Sequence, residues 1–109
     1  MAKHEFGIMG NAPERGKRYD EYEPQKYDCI SVNDIYIEAL DACMIDLDFY
    51  WHTLDIASKG LAYCGVTLIP PETAAKMAVI IEESKPLAAL CALLQRAVTE
   101  SKWVIHFGL

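Results

Sequence analysis

Runs of apolar residues along the chain predict its strands and helices, and the most informative run covers residues 48–73. This segment reads as a strand, a short turn, a return strand and the start of a helix. Residues 48–54 and 61–69 are rich in aromatic and β-branched side chains, which favour strands. The turn is expected within residues 55–60. The two prolines that follow end the return strand, because proline has no N–H to donate to a ladder.

Three helices are predicted from apolar stripes at helical spacing. Residues 35–45 pair an apolar stripe with an acidic one, and Asn33 or Asp34 can cap the first turn through a side-chain oxygen. Residues 72–83 follow the prolines as a second helix. A third helix begins after a break at Pro86. Its apolar face consists of Leu87, Leu90, Cys91, Leu94, Ala97 and Val98.

Three shorter apolar runs, residues 4–9, 29–32 and 103–107, complete the predicted strands. After the first strand, the order is β-α-β-β-α-α-β, which matches a ferredoxin-like βαββαβ plan with its last helix broken in two. We therefore predict a single α+β domain over residues 1–109, with a two-layer core at residues 29–108 and an additional N-terminal strand. An antiparallel sheet would carry the helices on one face.

Residues 10–28 have no apolar periodicity and are predicted to form a long loop between the first two strands. They contain two prolines, two glycines, three tyrosines and nine charged residues. Loops of this length inside a compact domain usually serve a function or lack fixed structure. With Arg15, Lys17 and Arg18, the loop could close over the sheet and hold an anionic group. The alternative is a solvated loop whose tyrosines pack on the sheet.

Strand alternation divides the predicted sheet into a face toward the helices and an open face. On the return strand, the wholly apolar set is assigned to the helix side. The helix-facing residues are then Ile30, Val32, Phe49, Trp51, Ala62, Cys64, Val66, Leu68, Trp103, Ile105 and Phe107. The open face is predicted to carry Cys29, Ser31, Tyr50, His52, Tyr63, Thr67 and His106. A slip of one residue in register would move all side chains of a strand to the other face.

Composition and charge narrow the classes of function. Of 109 residues, 52% are hydrophobic and 24% are charged, as is ordinary for a folded domain. A net charge of -6 argues against nucleic-acid binding, which needs a basic face, and against contact with an anionic membrane surface. No apolar run reaches the ~18 residues that span a bilayer. The start of the chain has no signal-peptide core, so a cytosolic location is expected.

The cysteines and histidines are the remaining candidates for chemistry. The four cysteines are widely spaced and are expected to be reduced thiols, and no fixed spacing of metal ligands occurs, so neither a metal site nor a cofactor is predicted. His52 and His106 are the weak candidates for a general base, because histidine titrates near neutral pH. Under the ferredoxin-like order, their strands are opposite edges of the sheet, about three spacings of ~4.8 Å apart. Cys29 on a neighbouring strand is the best partner for His106, as a metal pair or as a thiol with its base.

Two functional hypotheses follow from the predicted open face. The first is a non-enzymatic binding module that self-associates through this face, since exposed apolar patches mark interfaces; a basic protein partner is a related form. The second is a small enzyme or small-anion-binding protein with a pocket on the same face under the loop. The predicted ligand-binding residues are Tyr50, His52, Tyr63, Thr67, His106, Arg15 and Arg18.

Overall fold

Six strands and three helices make up the described part of the chain, residues 3–62 and 64–108 of a computed structural model. The strands are β1 (Lys3–Ile8), β2 (Ile30–Asn33), β3 (Asp48–Trp51), β4 (Ala57–Lys59), β5 (Val66–Ile69) and β6 (Val104–Phe107). The helices are α1 (Asp34–Met44), α2 (Pro71–Ile81) and α3 (Ala88–Thr99). Single 3-10 turns lie at Pro24–Tyr27 in the long loop and at Lys85–Leu87, where the break between α2 and α3 was predicted.

The strands form one antiparallel sheet in the order β2-β1-β6-β5-β3-β4. The α+β class is confirmed, but the ferredoxin-like strand order is not. That plan would place β2 between β6 and β5. Instead β1 lies between β2 and β6, and β6 pairs with β5. The physical reason is that β1 is a central strand: Phe6 is fully buried and pairs with a residue on each side, Ile30 and His106.

The helices cover one face of this sheet and enclose the main core. The predicted apolar face of α3 is confirmed, since Leu90, Cys91, Leu94 and Ala97 are buried there. From the sheet, the buried residues of this core are Phe6, Val32, Phe49, Ile69 and Val104. No helix in the described ranges is long and apolar enough to cross a membrane.

The opposite face of the sheet is covered by residues of the 10–28 loop, so the predicted open face is wrong. A second apolar cluster lies there. It is formed by Met9, Val66, Leu68, Ile105 and Phe107, with Tyr19, Tyr27, Cys29, Tyr50, Leu54 and Trp103 packed against it. The hypothesis that the loop tyrosines pack on the sheet is therefore correct for Tyr19 and Tyr27.

The face assignment was inverted on β5 and β6. Val66 and Leu68 lie on the loop side, whereas Thr67 and Ile69 face the helices; likewise, His106 faces the helices. All four residues of β5 are buried, because both faces of the strand are covered. In a strand buried on both faces, a polar residue such as Thr67 can be satisfied by a buried partner, so it does not reveal the strand's orientation. The assignments on β2 and β3 are confirmed for Val32, Phe49 and Tyr50.

Helix α1 begins with a side-chain cap that the sequence predicts. Asn33 has an extended backbone, and its side-chain oxygen accepts a hydrogen bond from the Ile35 N–H at 3.0 Å. We expect Asn33→Ala to lower the free energy of unfolding by about 1 kcal/mol, because a free N–H of the first turn loses its acceptor. Urea denaturation measures this, with the exposed Asn11→Ala as the matched control. Equal losses in the two variants would contradict the capping role.

Candidate functional site

A cavity of about 490 Å³ opens on the loop side of the sheet, and we call it the Glu5 cavity. It is lined by Lys3, Glu5, Asp20, Tyr22, Gly65, Val66, Phe107 and Gly108. Its size falls within the range of small-molecule sites, which are concave and mostly apolar with a few convergent polar groups. The sequence hypotheses placed a pocket on this side of the sheet under the loop, but with other residues.

Strand alternation and register build the floor of this cavity. Successive residues of β1 point to opposite faces, so Lys3 and Glu5 face the cavity while His4 and Phe6 face the helices. In the ladder, Phe107 pairs with Glu5 on one side and with Val66 on the other. The carboxylate therefore lies beside an aromatic ring on a central strand, where Glu5 is only 9% exposed.

Tyr22 from the loop closes one wall of the cavity. Its hydroxyl donates a hydrogen bond to the Glu5 carboxylate, and its ring meets the Phe107 ring edge-on at 5.5 Å between centroids. This hydrogen bond, desolvation and the charge of Glu5 all raise the pKa of Tyr22 above its ordinary value. The tyrosine therefore stays protonated at neutral pH and acts as the donor.

Gly65 lies at the rim of the Glu5 cavity, and the His52 ring packs against the glycine Cα from the side away from the cavity. Gly65 has a φ of +102°, and a Cβ there would lie 2.5 Å from His52 Cε1, so the position requires glycine. His52 follows β3 with a φ of +64°, and its N–H donates to the Val66 carbonyl at 3.0 Å. The His52 ring is thus packed against the rim and does not line the cavity.

A second polar cluster lies on the other face of the sheet, inside the main core. His4 Nδ1 is 2.7 Å from His106 Nε2, and His4 Nε2 is 2.7 Å from Asp34 Oδ1. On the far side, His106 Nδ1 is 3.1 Å from Thr67 Oγ1, and this oxygen accepts from the Ala62 N–H at 2.8 Å. We call these side chains the histidine chain. His4 is 1% exposed, and His106 and Thr67 are fully buried.

The predicted site residues are divided between these places. Thr67 and His106 lie together in the histidine chain, while Tyr50 lies on the opposite face with its ring 5.8 Å from that of Trp103. Tyr63 lies outside the described residues. The two predicted general bases, His52 and His106, do not converge, because the first sits at the cavity rim and the second faces the helices.

The two loop arginines do not reach the Glu5 cavity. Arg15 is 80% exposed and pairs with Asp55 at 3.7 Å. Arg18 pairs with Asp20 at 2.7 Å and borders a separate cavity of about 300 Å³. Three basic and three acidic side chains line that cavity, so it has no excess of positive charge for an anion: Lys17, Arg18, Lys26, Asp20, Glu21 and Glu23.

The predicted pairing of Cys29 with His106 is wrong. Cys29 packs in the loop-side cluster, and His106 faces the helices. Burial, then the charges of Glu5 and Asp28, raise the pKa of the Cys29 thiol to about 12. It is therefore not a nucleophile at neutral pH, because only the thiolate attacks. All four cysteines are free, and the described residues hold no group of three or more histidine, cysteine or acidic side chains placed for a metal ion.

Sequence reasoning missed Glu5, Tyr22, His4 and Asp34. The available signal was the HEF triplet of β1, in which two adjacent ionisable residues, His4 and Glu5, point to opposite faces of the strand. Such residues on a strand covered on both faces need partners, and the partners come from the loop and from α1.

No protein-family model, curated protein or solved structure matches this chain.

Proposed function

We propose that this chain is a non-enzymatic binding protein whose Glu5 cavity takes a small ligand with an apolar body and a cationic nitrogen. The observation that carries the proposal is the Glu5 carboxylate, nearly buried on a central strand and open to a mostly apolar cavity. The binding-module hypothesis is thereby kept, and its site is moved from the predicted residues to this cavity.

Among the described residues, no side chain forms an ion pair with the Glu5 carboxylate. The Tyr22 hydroxyl donates a hydrogen bond to one of its oxygens. Transferring a carboxylate from water into the protein costs roughly several kcal/mol unless an opposite charge or further hydrogen bonds offset that cost. A ligand ammonium group would supply both. The chain's net charge of -6 favours the approach of a cation in addition.

The walls of the cavity suit an aromatic or aliphatic ligand body. The rings of Tyr22 and Phe107 stand edge to face beside the carboxylate, and aromatic rings attract a nearby cation through their negative faces. Asp20 adds a second acidic group to the lining, and Lys3 adds one basic group. The lining therefore carries an excess of one negative charge.

The lining holds side chains that can carry a proton, Glu5, Asp20, Lys3 and Tyr22, so binding is proposed over nucleophilic catalysis by a cysteine or histidine only. No histidine or cysteine is among its described lining residues. The self-association that was predicted through the sheet face has no support from this geometry, because the loop covers that face. A homodimer, a basic protein partner and a cytosolic location stay predictions and form no part of this proposal.

Benzylamine is a suitable probe, with benzyl alcohol and benzoate as neutral and anionic molecules of similar shape. We expect calorimetry to detect benzylamine binding and weaker or no binding of the other two. Glu5→Gln keeps an acceptor for Tyr22 but removes the charge, so it should weaken benzylamine binding about tenfold or more, since hydrogen bonds to charged groups are worth ~1.5–3 kcal/mol.

Glu83→Gln is the matched control, because Glu83 is an exposed glutamate remote from the cavity lining. It should bind benzylamine as the wild type does. Equal binding of benzylamine and benzyl alcohol, or no loss in Glu5→Gln, would refute the role of the carboxylate. Failure of all three probes to bind would refute the ligand class.

A further inference from the structure

When both histidine rings are neutral, every hydrogen bond of the histidine chain is donated toward Asp34, because the Asp34 carboxylate can only accept. A carboxylate only accepts, so His4 Nε2 carries a hydrogen and donates to Asp34 Oδ1. His4 Nδ1 is then an acceptor for His106 Nε2–H. His106 Nδ1 in turn accepts from the Thr67 hydroxyl, whose oxygen accepts from the Ala62 N–H. Every link of the chain is satisfied in this state.

One added proton reverses the chain without any movement of its heavy atoms. If His4 gains a hydrogen on Nδ1, it donates to His106 Nε2, which must give up its own hydrogen. His106 then carries its hydrogen on Nδ1 and donates to Thr67 Oγ1. His106 stays neutral in both states, but its tautomer changes.

The acidic side chains described beside the histidine chain lie at its His4 end, and apolar surroundings lie at its His106 end. His4 lies against Asp34 and borders a small cavity of about 40 Å³ that Glu38 and Asp41 of α1 also line, with Leu61. His106 contacts the Phe6 ring at 4.8 Å between centroids, and burial followed by the charge of His4 holds the pKa of His106 well below its ordinary value.

The other described contacts of the pair come from apolar side chains of α3 and from β5. From α3, the side chains buried in this core include Leu90, Leu94 and Ala97, and from β5 the contact is Thr67. Among the described residues, the acidic groups beside the pair, Asp34, Glu38 and Asp41, come from α1 at the His4 end.

We propose that Asp34, His4, His106 and Thr67 form a one-proton switch, in which a proton taken up by His4 reverses the hydrogen bonds as far as Thr67 and loosens the segment that leads into β5. The loosening arises at Thr67, whose oxygen then accepts from both His106 and Ala62 while its own hydrogen loses its acceptor. A buried hydroxyl hydrogen without an acceptor is costly, and a turn of the Thr67 side chain toward another acceptor relieves this cost but breaks the Ala62 bond. The switch does not depend on a ligand in the Glu5 cavity, which lies on the other face of the sheet.

Nitrogen NMR of the histidine rings in the wild-type chain tests the proposal between pH 8 and pH 4.5. We expect His106 to show the Nε2–H form at pH 8 and the Nδ1–H form, still neutral, once His4 is doubly protonated. Hydrogen exchange of the Ala62 amide, corrected for the intrinsic exchange rate at each pH, should become faster over the same pH range. A His106 ring that keeps its Nε2–H form or becomes charged in the folded state overturns the switch, as does unfolding before any tautomer change.

Asp34→Asn provides a second measurement, because its amide oxygen still accepts from His4 while the charge is absent. Removing an opposite charge at hydrogen-bond distance should move the pH midpoint of the tautomer change down by about one unit or more. Asp46→Asn, an exposed residue just past the end of α1, is the control and should leave the midpoint unchanged. An unchanged midpoint in Asp34→Asn would also overturn the proposal.

Discussion

Replacing Gly7 by alanine is expected to destabilise the fold by about 2 kcal/mol, in the range typical of overpacked sites. A Cβ at Gly7 would lie 2.7 Å from Cys29 Sγ and 2.7 Å from both the Cβ and the carbonyl oxygen of Tyr27. The strand cannot retreat, because Gly7 pairs with Ile105 in the centre of the sheet. The 3-10 turn that holds Tyr27 against the sheet must therefore move outward, and the loop-side cluster loses contacts.

Gly10→Ala is the matched control for this substitution. A Cβ there has no neighbour within 4 Å, so the change should alter the free energy of unfolding by less than about 0.5 kcal/mol. Urea denaturation gives both values, and site-resolved thiol labelling should show faster modification of Cys29 in Gly7→Ala alone. Equal stability of the two variants would show that the loop does not pack on the sheet in this way.

The sequence predicts most elements of this fold better than their arrangement, but it places a turn at residues 55–60, where the structure has β4, and begins the return strand at residue 61 and not at Val66. Local sequence patterns correctly predicted three features: the cap at the start of α1, the apolar face of α3, and the orientation of Phe49 toward the helices. The orientation of β5 could not be predicted in the same way. The strand is buried throughout and its one polar residue, Thr67, is satisfied by His106 in the core, so alternation does not reveal which set faces the loop.

The candidate sites were harder to predict because their members are far apart in the chain. The links of the histidine chain join residues separated by 30, 102 and 39 positions. No local spacing encodes such a set; the pairing of β1 with β6 creates it, since Phe6 opposite His106 places His4 near that ring. The Glu5 cavity likewise needs Tyr22 from the loop, which sequence reasoning treated as a lid over other residues.

Acid should destabilise this chain through His106 before its carboxylates are protonated. In the unfolded chain, His106 takes up a proton near pH 6.5, whereas burial holds its pKa in the fold well below that value. Below pH ~6.5 the unfolded state therefore binds a proton that the folded ring excludes. The free energy of unfolding then falls with pH at up to about 1.4 kcal/mol per unit until the folded pKa is reached. Above pH ~7 this group contributes no slope.

Urea denaturation at intervals from pH 8 to pH 5 measures this slope in three forms of the chain. His106→Gln breaks the histidine chain, so it should be less stable than the wild type at pH 7.5, but its stability should fall less steeply below pH ~6.5. The two curves should approach each other by up to about 1.4 kcal/mol per unit, which corresponds to one proton. Asn11→Ala, which changes an exposed side chain that does not titrate, should keep the wild-type slope. If the slope of His106→Gln matches that of the wild type, the acid sensitivity belongs to another group and His106 is not excluded from protonation in the fold. Breaking the hydrogen bonds of a buried ring lowers the free energy of unfolding at every pH, whereas only a change in the number of bound protons alters its pH dependence, so the slope isolates the protonation of His106.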